Sequence, residues 1–241
     1  MANVNMANRE VCDLVFVDFA TKKPFLNVDY ANVSTAELTG ESVYAYGGWG
    51  HPKRITFFGE RGGTIGFETQ ITPFKLYSMM SGAKIEKTAK WLKREVVTCE
   101  TEGSLTIKGA ATTADVFAFD DDCGTALEAT VADKTVTCTG ATQGAKYVVY
   151  YMEELTDVQR ISITSTTFPS YFTAYMETKD KTEDGEELLF RMVAYKCAPQ
   201  TEMSLSFSNT GDPATLSVTC DLMIDGDNNM LDMILVEDDE G

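Results

Sequence analysis

The only histidine of the chain, His51, is the first residue to consider for catalysis. It lies in the segment GGWGHPKR, beside Trp49 and directly before Pro52. A serine or cysteine nucleophile needs a base such as histidine to take up its proton. The sequence has no GxSxG nucleophile motif, and Pro52 favours an extended turn conformation at His51. We therefore interpret His51 as a structural loop residue, and a β-scaffold hydrolase that uses it is the least favoured of three hypotheses.

Two acidic clusters have the residue types of a metal site. Asp225-x-Asp227-x-Asn229 resembles the start of a calcium loop, but Met230 and Val236 occupy the positions where that loop needs glycine and glutamate. The triple aspartate of FDDDCG (119–124) is typical of a solvated turn. The sequence therefore predicts a solvated acidic tip at 119–124 and an Asx-rich turn at 225–229, with no metal and no cofactor.

The glycine-rich segments do not have the arrangement of a phosphate-binding loop. The run GGWG precedes a predicted strand, whereas nucleotide loops lead into a helix N-terminus. The segment GERGG (59–63) lies between two apolar strand patterns and predicts a hairpin connection. The nearby aromatic residues are interpreted as core rather than as a stacking platform for bases: Trp49, Phe57, Phe58, Phe67 and Phe74.

The six cysteines are widely scattered, without a CxxC pair or a neighbouring histidine. Zinc sites need clustered thiolate or imidazole ligands, so this spacing argues against one. Small buried hydrophobic residue is the favoured role, and disulfides are the weaker alternative. The positions are Cys12, Cys99, Cys123, Cys138, Cys197 and Cys220.

The formal net charge of −17 is unevenly distributed. From Cys197 onward there is no lysine or arginine, while a basic run occupies residues 84–94. Binding to nucleic acid depends on cationic side chains that displace counterions from phosphates, so this balance argues against it. A solvated acidic surface is the common explanation of such a charge, and a polarised chain also suits head-to-tail self-association.

The sequence gives no indication of membrane insertion or secretion. No apolar run approaches the length of a membrane span, and the first residues lack the basic and apolar regions of a signal peptide. We therefore expect the chain to stay in a cytosol-like compartment.

Hydrophobic periodicity predicts a mainly β fold, a sandwich or barrel, with one short α-helix at about 73–81. Pro73 suits the start of that helix and Gly82 its C-terminal cap. Two long strands around Thr182-Glu183-Asp184-Gly185 predict a long β-hairpin. We expect one domain over residues 1–241, with a small β subdomain inserted at about 98–152.

The order of these segments resembles that of the major tail tube proteins of long-tailed bacteriophages, particularly contractile and large phages. The similarity covers roughly residues 10–237 and is most specific over 51–82 and 161–225. It rests on KRITFFG, TIGFETQI, PFKLYSMMSG, GAKYVVYY, ITSTTFPSYF and MSLSFSNTGDPATLSVTCDLMI.

The resemblance implies a single tail-tube domain that is a structural virion protein and not an enzyme. Six copies would form a ring, and stacked rings would form the tube through which DNA passes at ejection without specific binding. The implied partners are other copies of the chain and the tail sheath, baseplate and tail-terminator proteins. The implied location is the virion tail, assembled in the cytoplasm of a host bacterium.

Within that picture, two groups of charged residues are candidates for function. An acidic lumen would repel DNA phosphates, and opposite charges could join stacked rings. The lumen-facing candidates are Glu177, Asp180, Glu186 and Glu187. The inter-ring candidates are Lys84, Lys87, Lys90, Lys93, Arg94, Asp238, Asp239 and Glu240.

The main alternative is a carbohydrate- or receptor-binding β-sandwich, such as a capsid decoration or fibre domain. For that function, Trp49 and the DGDNN loop (225–229) are the candidate contacts.

Overall fold

The computed structural model describes residues 5–121, 123–207, 209 and 211–236. The elements, in chain order, are β1 (Met6–Asn8), β2 (Asp13–Asp18), β3 (Pro24–Val28), β4 (Val33–Tyr46), β5 (Lys53–Thr69), α1 (Phe74–Ser81), β6 (Ile85–Thr98), β7 (Ser104–Thr106), β8 (Ala111–Phe119), β9 (Ala126–Leu127), β10 (Ala129–Ala132), β11 (Thr135–Cys138), β12 (Lys146–Ile161), β13 (Phe172–Thr182), β14 (Glu187–Pro199), β15 (Leu216–Met223) and β16 (Leu231–Val236). The prediction of a mainly β fold with one short helix is confirmed for the described residues.

The chain divides into two compact units, one from the described residues of 1–84 and 163–241 and the other from residues 85–162. The second unit contains the segment 98–152 for which the sequence predicts an inserted subdomain. Its first residue, Ile85, pairs with Ile161, the residue before its last, so the chain enters and leaves this unit on the neighbouring strands β6 and β12. That the whole chain acts as one tail-tube domain stays a prediction.

The first unit is built on a nine-stranded antiparallel sheet. Its main order is β3-β2-β13-β14-β15-β5-β4, with β1 added to β13 and β16 added to β14. Period-two patterns turn apolar side chains of neighbouring strands toward one core. Phe16 of β2 and Phe172 of β13 meet there with ring centroids 5.1 Å apart in an edge-to-face arrangement.

Helix α1 packs in the same core through Leu76, Met79 and Met80. Its flanking residues take the predicted roles: Pro73 immediately precedes it, and Gly82 ends it in the left-handed conformation with φ 72°. The Gly82 N–H donates to the carbonyl of Ser78, which satisfies one of the carbonyls left open at a helix end.

The predicted long hairpin is present as β13 and β14. The strands pair from Phe172 opposite Cys197 to Lys181 opposite Glu187. Its turn closes through Thr182, whose hydroxyl accepts a hydrogen bond from the Glu186 N–H, and through Gly185 at φ 92°.

The predicted hairpin at GERGG is wrong, because β5 runs through it as one strand of 17 residues. Gly62 and Gly63 pair with Thr39 and Leu38 of β4, and the ladder continues beyond a bulge. A Cβ at position 63 would collide with the carbonyl oxygen of Glu37 and lie 3.1 Å from Leu222 Cδ1. This glycine therefore permits close approach of strands rather than a turn.

The second unit is a small sandwich of two antiparallel sheets, ordered β6-β12-β8-β9 and β10-β11-β7. Val97 and Tyr151 of one sheet share a core with Leu105 and Val136 of the other. The hydroxyl of Tyr151 lies 3.0 Å from Glu95 Oε2, to which it donates, and accepts from the Gly109 N–H at 3.0 Å. This buried phenol is therefore satisfied on both sides.

Candidate assembly surfaces

The turn that joins β4 to β5 lies at residues 47–52, earlier in the chain than the hairpin connection predicted at 59–63. Gly48, Gly50 and His51 have φ values of 89°, 86° and 48°, which lie in the left-handed region. The Arg54 Nε donates to the Gly47 carbonyl at 2.8 Å and helps to close the turn. His51 is therefore a turn residue, as predicted, but in a left-handed rather than an extended conformation.

The distal parts of β4 and β5, with this turn, form a two-stranded extension that we call the ribbon (residues 42–58). Val43 pairs with Phe57 and Ala45 with Ile55 on one face, while Ser42 and Phe58 pair on the other. β-branched and aromatic residues favour such cross-strand pairs. The part of β5 that precedes Thr64 has only β4 as a partner among the described strands.

Both faces of the ribbon are exposed, and both carry large apolar side chains. The exposed fraction is 67% for Val43, 57% for Phe57 and 85% for Phe58, and Trp49 at the tip is fully exposed. The prediction that Trp49, Phe57 and Phe58 belong to the core is therefore wrong, whereas Phe67 is buried at 3%. An isolated two-stranded ribbon is marginally stable in water, and a contiguous apolar patch marks an interaction site.

The ribbon is also positively charged, in contrast to the whole chain. It contains Lys53 and Arg54 and no aspartate or glutamate. The Lys53 Nζ lies 3.6 Å from the centroid of the Tyr44 ring, a cation–π contact that keeps this charge on one face of the ribbon.

A second apolar surface lies where β16 begins. An open groove there is lined by Leu38, Ile224, Met230 and Leu231, together with Arg61 and Asn228. β16 itself exposes Met233 at 57% and Ile234 at 44%, and its second edge has no partner among the described strands. An apolar edge strand of this kind is a template for pairing with another chain.

The four lumen-facing candidates do not share one surface. Glu177 lies on the exposed face of β13, where its carboxylate pairs with Arg191. Asp180, three residues on, lies on the opposite face at 9% exposure and accepts a hydrogen bond from Asn8 Nδ2 at 2.8 Å. Glu187 Oε2 is 3.6 Å from Lys179 Nζ, and Glu186 lies in the exposed turn. Their orientation toward a lumen stays a prediction.

The basic inter-ring candidates also divide between faces. Lys93 faces inward with Glu95 and Val97, and its Nζ lies 2.9 Å from Glu153 Oε2. Lys90 and Arg94 lie on the opposite, exposed face of β6. Lys84 and Lys87 are exposed. The acidic candidates Asp238, Asp239 and Glu240 lie outside the described residues.

The acidic turn at Asp225 binds its own backbone. Asp225 Oδ1 accepts hydrogen bonds from the N–H groups of Asp227 (2.9 Å) and Asn229 (2.8 Å). Although partial desolvation opposes it, these bonds hold the pKa of Asp225 below its usual value. No cluster of metal-ligating side chains occurs among the residues that the structure describes. The calcium-like pattern is thus an Asx turn, as the sequence predicts.

The cysteines bear out their predicted structural role, since all six are thiols and five are buried. Burial raises the pKa of Cys197 to about 12 and also raises the pKa of Cys220, where neighbouring Cys197 and Asp221 add to the effect. The thiolate is the reactive form, so these groups are inert at neutral pH. Cys123 is the exposed one.

We expect a thiol reagent at pH 8 to label one cysteine rapidly in the folded protein and six after denaturation. The rapid phase should disappear in Cys123→Ser and persist in Cys12→Ser. Rapid labelling of a second thiol in the native protein would contradict the described burial. The measurement is a time course of reagent absorbance with and without denaturant.

Sequence reasoning missed the ribbon because it assigned adjacent aromatics to a core. A usable signal was present in ITFFG (55–59). Phe57 and Phe58 are neighbours in a strand, so they point to opposite faces and cannot both face one core layer.

α1 has eight residues, and no helix of the described chain has the length and apolar character of a membrane span.

Comparisons with known proteins place the chain in a family. No curated protein matches the sequence. The family model described as the YomU/Tube protein family matches residues 9–236, and that description indicates a phage tube-like structural protein. With nearly its whole length matched, the chain belongs to the YomU/Tube protein family.

Proposed function

We propose that this protein is the major tail tube protein of a long-tailed, contractile phage. Copies assemble into rings of six, and the stacked rings form the tube that conducts DNA at ejection. The chain works as a structural component of the virion, assembled in the host cytoplasm, and not as an enzyme. Its partners are other copies and the sheath, baseplate and tail-terminator proteins.

The observation that carries this proposal is the ribbon, with its exposed apolar residues on both faces. Full burial of one such side chain contributes about 1.5–3 kcal/mol. Association costs about 4–15 kcal/mol in lost translational and rotational freedom. Burial of several of these side chains in each contact contributes a free energy of similar size and can offset that cost. A monomer has nothing in its described residues to cover the ribbon, whereas a repeating assembly supplies a cover at every copy.

The charge of the chain supports a conduit for DNA. A net charge of −17 per subunit disfavours adhesion of phosphates, so DNA can slide rather than stick. Of the four lumen candidates, Glu177, Glu186 and Glu187 are accessible, and we keep these for the lumen wall. Asp180 is assigned instead to the contact between β1 and β13, because it faces Asn8.

Charge complementarity between rings is the second part of the proposal. The exposed basic residues Lys84, Lys87, Lys90 and Arg94 would face the acidic C-terminal residues Asp238, Asp239 and Glu240 of the next ring. Such contacts weaken with salt, since the screening length falls to about 3 Å at 1 M.

The test is negative-stain electron microscopy of the purified full chain over a range of protein and salt concentrations, with sedimentation velocity on the same samples. We expect annular particles or hollow filaments that become shorter as salt increases. A sample that stays monomeric at every concentration and binds immobilised glycans would overturn the proposal and support the carbohydrate-binding alternative.

A further inference from the structure

We infer that the ribbon of one copy docks beside β16 of a second copy, in the groove lined by Leu38, Ile224, Met230 and Leu231. This inference rests on the proposed function, since it names the contact that joins subunits of the tube. It makes the contact heterologous: each copy gives its ribbon to one neighbour and receives the ribbon of another.

The sheet topology provides the site for an added strand. β15 and β16 lie one after the other along β14, opposite residues 196–199 and 189–194 respectively. β5 pairs with β15 only over residues 64–69 and then continues with β4 alone. Among the described strands, none therefore lies beside the outer edge of β16, whereas its inner edge pairs with β14. An incoming strand at this edge gains backbone hydrogen bonds in addition to side-chain contacts.

The side chains of the two surfaces are chemically matched. The groove supplies aliphatic and thioether side chains, and the ribbon supplies Phe58, on the face that also carries Thr56, and Trp49 at its tip. Met230 is unbranched and polarisable, which suits it to contact with aromatic rings. Exposed aromatic anchors that fill apolar pockets dominate the energy of most protein interfaces.

The charges of the two surfaces are opposite. The ribbon carries Lys53 and Arg54, whereas Asp225, Asp227 and Asp232 lie in the segment that forms the groove and the first residues of β16. Asp225 is engaged in its own turn and Asp232 accepts a hydrogen bond from the Tyr195 hydroxyl at 2.6 Å. Asp227 is exposed, and its carboxylate takes part in neither of these interactions, so it is the carboxylate best placed to meet a lysine of the partner.

The ribbon that occupies the groove must come from a second copy, because a chain cannot place its ribbon in its own groove. Leu38 and Arg61 at the base of the ribbon line that groove. Strands rise about 3.3 Å per residue, so the tip near Trp49 lies roughly 30–40 Å along the ribbon from Arg61. A straight projection of one molecule that fits a recess elsewhere on the next gives rings or filaments rather than a closed pair.

The test is cross-linking of Thr56→Cys on the ribbon to Thr39→Cys in the groove, in a Cys123→Ser background. Within one chain these positions are separated by roughly 20 Å of strand, so a bismaleimide of less than half that reach joins only different copies. We expect the double variant to give a ladder of trimers and larger species. A mixture of the two single variants should give dimers only, and each single variant alone should give monomers.

Charge reversal tests the proposed contact between Lys53 and Asp227, and a reversal elsewhere is the matched control. Lys53→Glu and Asp227→Lys should each lower the cross-linked yield by about tenfold, the equivalent of about 1.4 kcal/mol, and their combination should restore it. Lys146→Glu, an exposed reversal in the second unit, should change nothing.

The outcomes separate this inference from the proposed function. Tubes by electron microscopy without a cross-linked ladder overturn the docking site alone, as does self-cross-linking of Thr56→Cys, which would indicate a symmetric ribbon–ribbon contact. A ladder without tubes supports the docking site and overturns the tube. Absence of both overturns both.

Discussion

Replacement of Ile55 and Phe57 together by lysine is expected to abolish assembly and leave the subunit folded. Both side chains are more than half exposed in the isolated chain, at 56% and 57%, so their loss removes little from its core. In an assembly each would contribute about 1.5–3 kcal/mol if fully buried. Loss of both, with two charges left in an apolar contact, raises the concentration needed for assembly by at least about a hundredfold, at 1.4 kcal/mol per tenfold.

The measurement is sedimentation velocity and negative-stain microscopy of the Ile55→Lys/Phe57→Lys variant beside the unchanged protein. Circular dichroism and the melting temperature report whether the fold is retained. Leu92→Lys/Phe117→Lys is the matched control, because these residues of the second unit have similar exposures of 52% and 51%. Tubes formed at normal concentration by the ribbon variant would contradict the assignment. Equal loss in the control would show that the ribbon has no special role.

The substitution Gly63→Ala is expected to destabilise the first unit by about 2–3 kcal/mol, the range typical of overpacking in a close-packed interior. The added methyl would meet the Glu37 carbonyl, Leu222 Cδ1 and Leu38 Cδ2, the last two at 3.1 Å. A backbone carbonyl in a strand ladder cannot move without breaking cross-strand hydrogen bonds. The strain therefore opens the pairing of β4 with β5 at Leu38 and Gly63, a few residues before the ribbon begins.

Gly59→Ala is the matched control for that experiment. It lies in the same strand, but its nearest neighbour to an added Cβ is the Glu41 carbonyl oxygen at 3.5 Å, an ordinary contact. Alanine in a strand interior restricts the unfolded chain more than glycine, so this change should stabilise by up to about 1 kcal/mol. Urea unfolding of both variants gives the comparison. Equal midpoints for Gly63→Ala and the unchanged protein would contradict the close approach at Gly63.

Several elements were predictable because their signals are local. The helix between Pro73 and Gly82 follows from a proline that cannot extend it backward and a glycine that accepts the left-handed cap. The β13–β14 hairpin follows from two period-two patterns around a turn that contains Gly185. The scattered cysteines and the absence of metal spacing indicated buried thiols, and five of the six are buried.

Other features depended on partners distant in sequence. Whether GERGG turns or continues is decided by β4, which pairs along it from Leu38 to Gly40 and holds it extended. Likewise, whether Phe57 faces a core depends on whether another strand or helix lies over it, and no described element does. Hydrophobicity alone cannot distinguish a residue that packs within its own chain from one that awaits another copy.

The amino-acid sequence by itself determined the β-rich class, the helix, the long hairpin, the acidic balance and the absence of a recognisable catalytic motif. These depend on propensity, periodicity and composition, which act over a few residues or over the whole chain. Only the tertiary structure decided which strands lack a partner and which apolar side chains remain exposed, because both depend on pairing between residues far apart in the sequence. For this protein, the ribbon and the edge of β16 belong to that second group, and its proposed assembly depends on them.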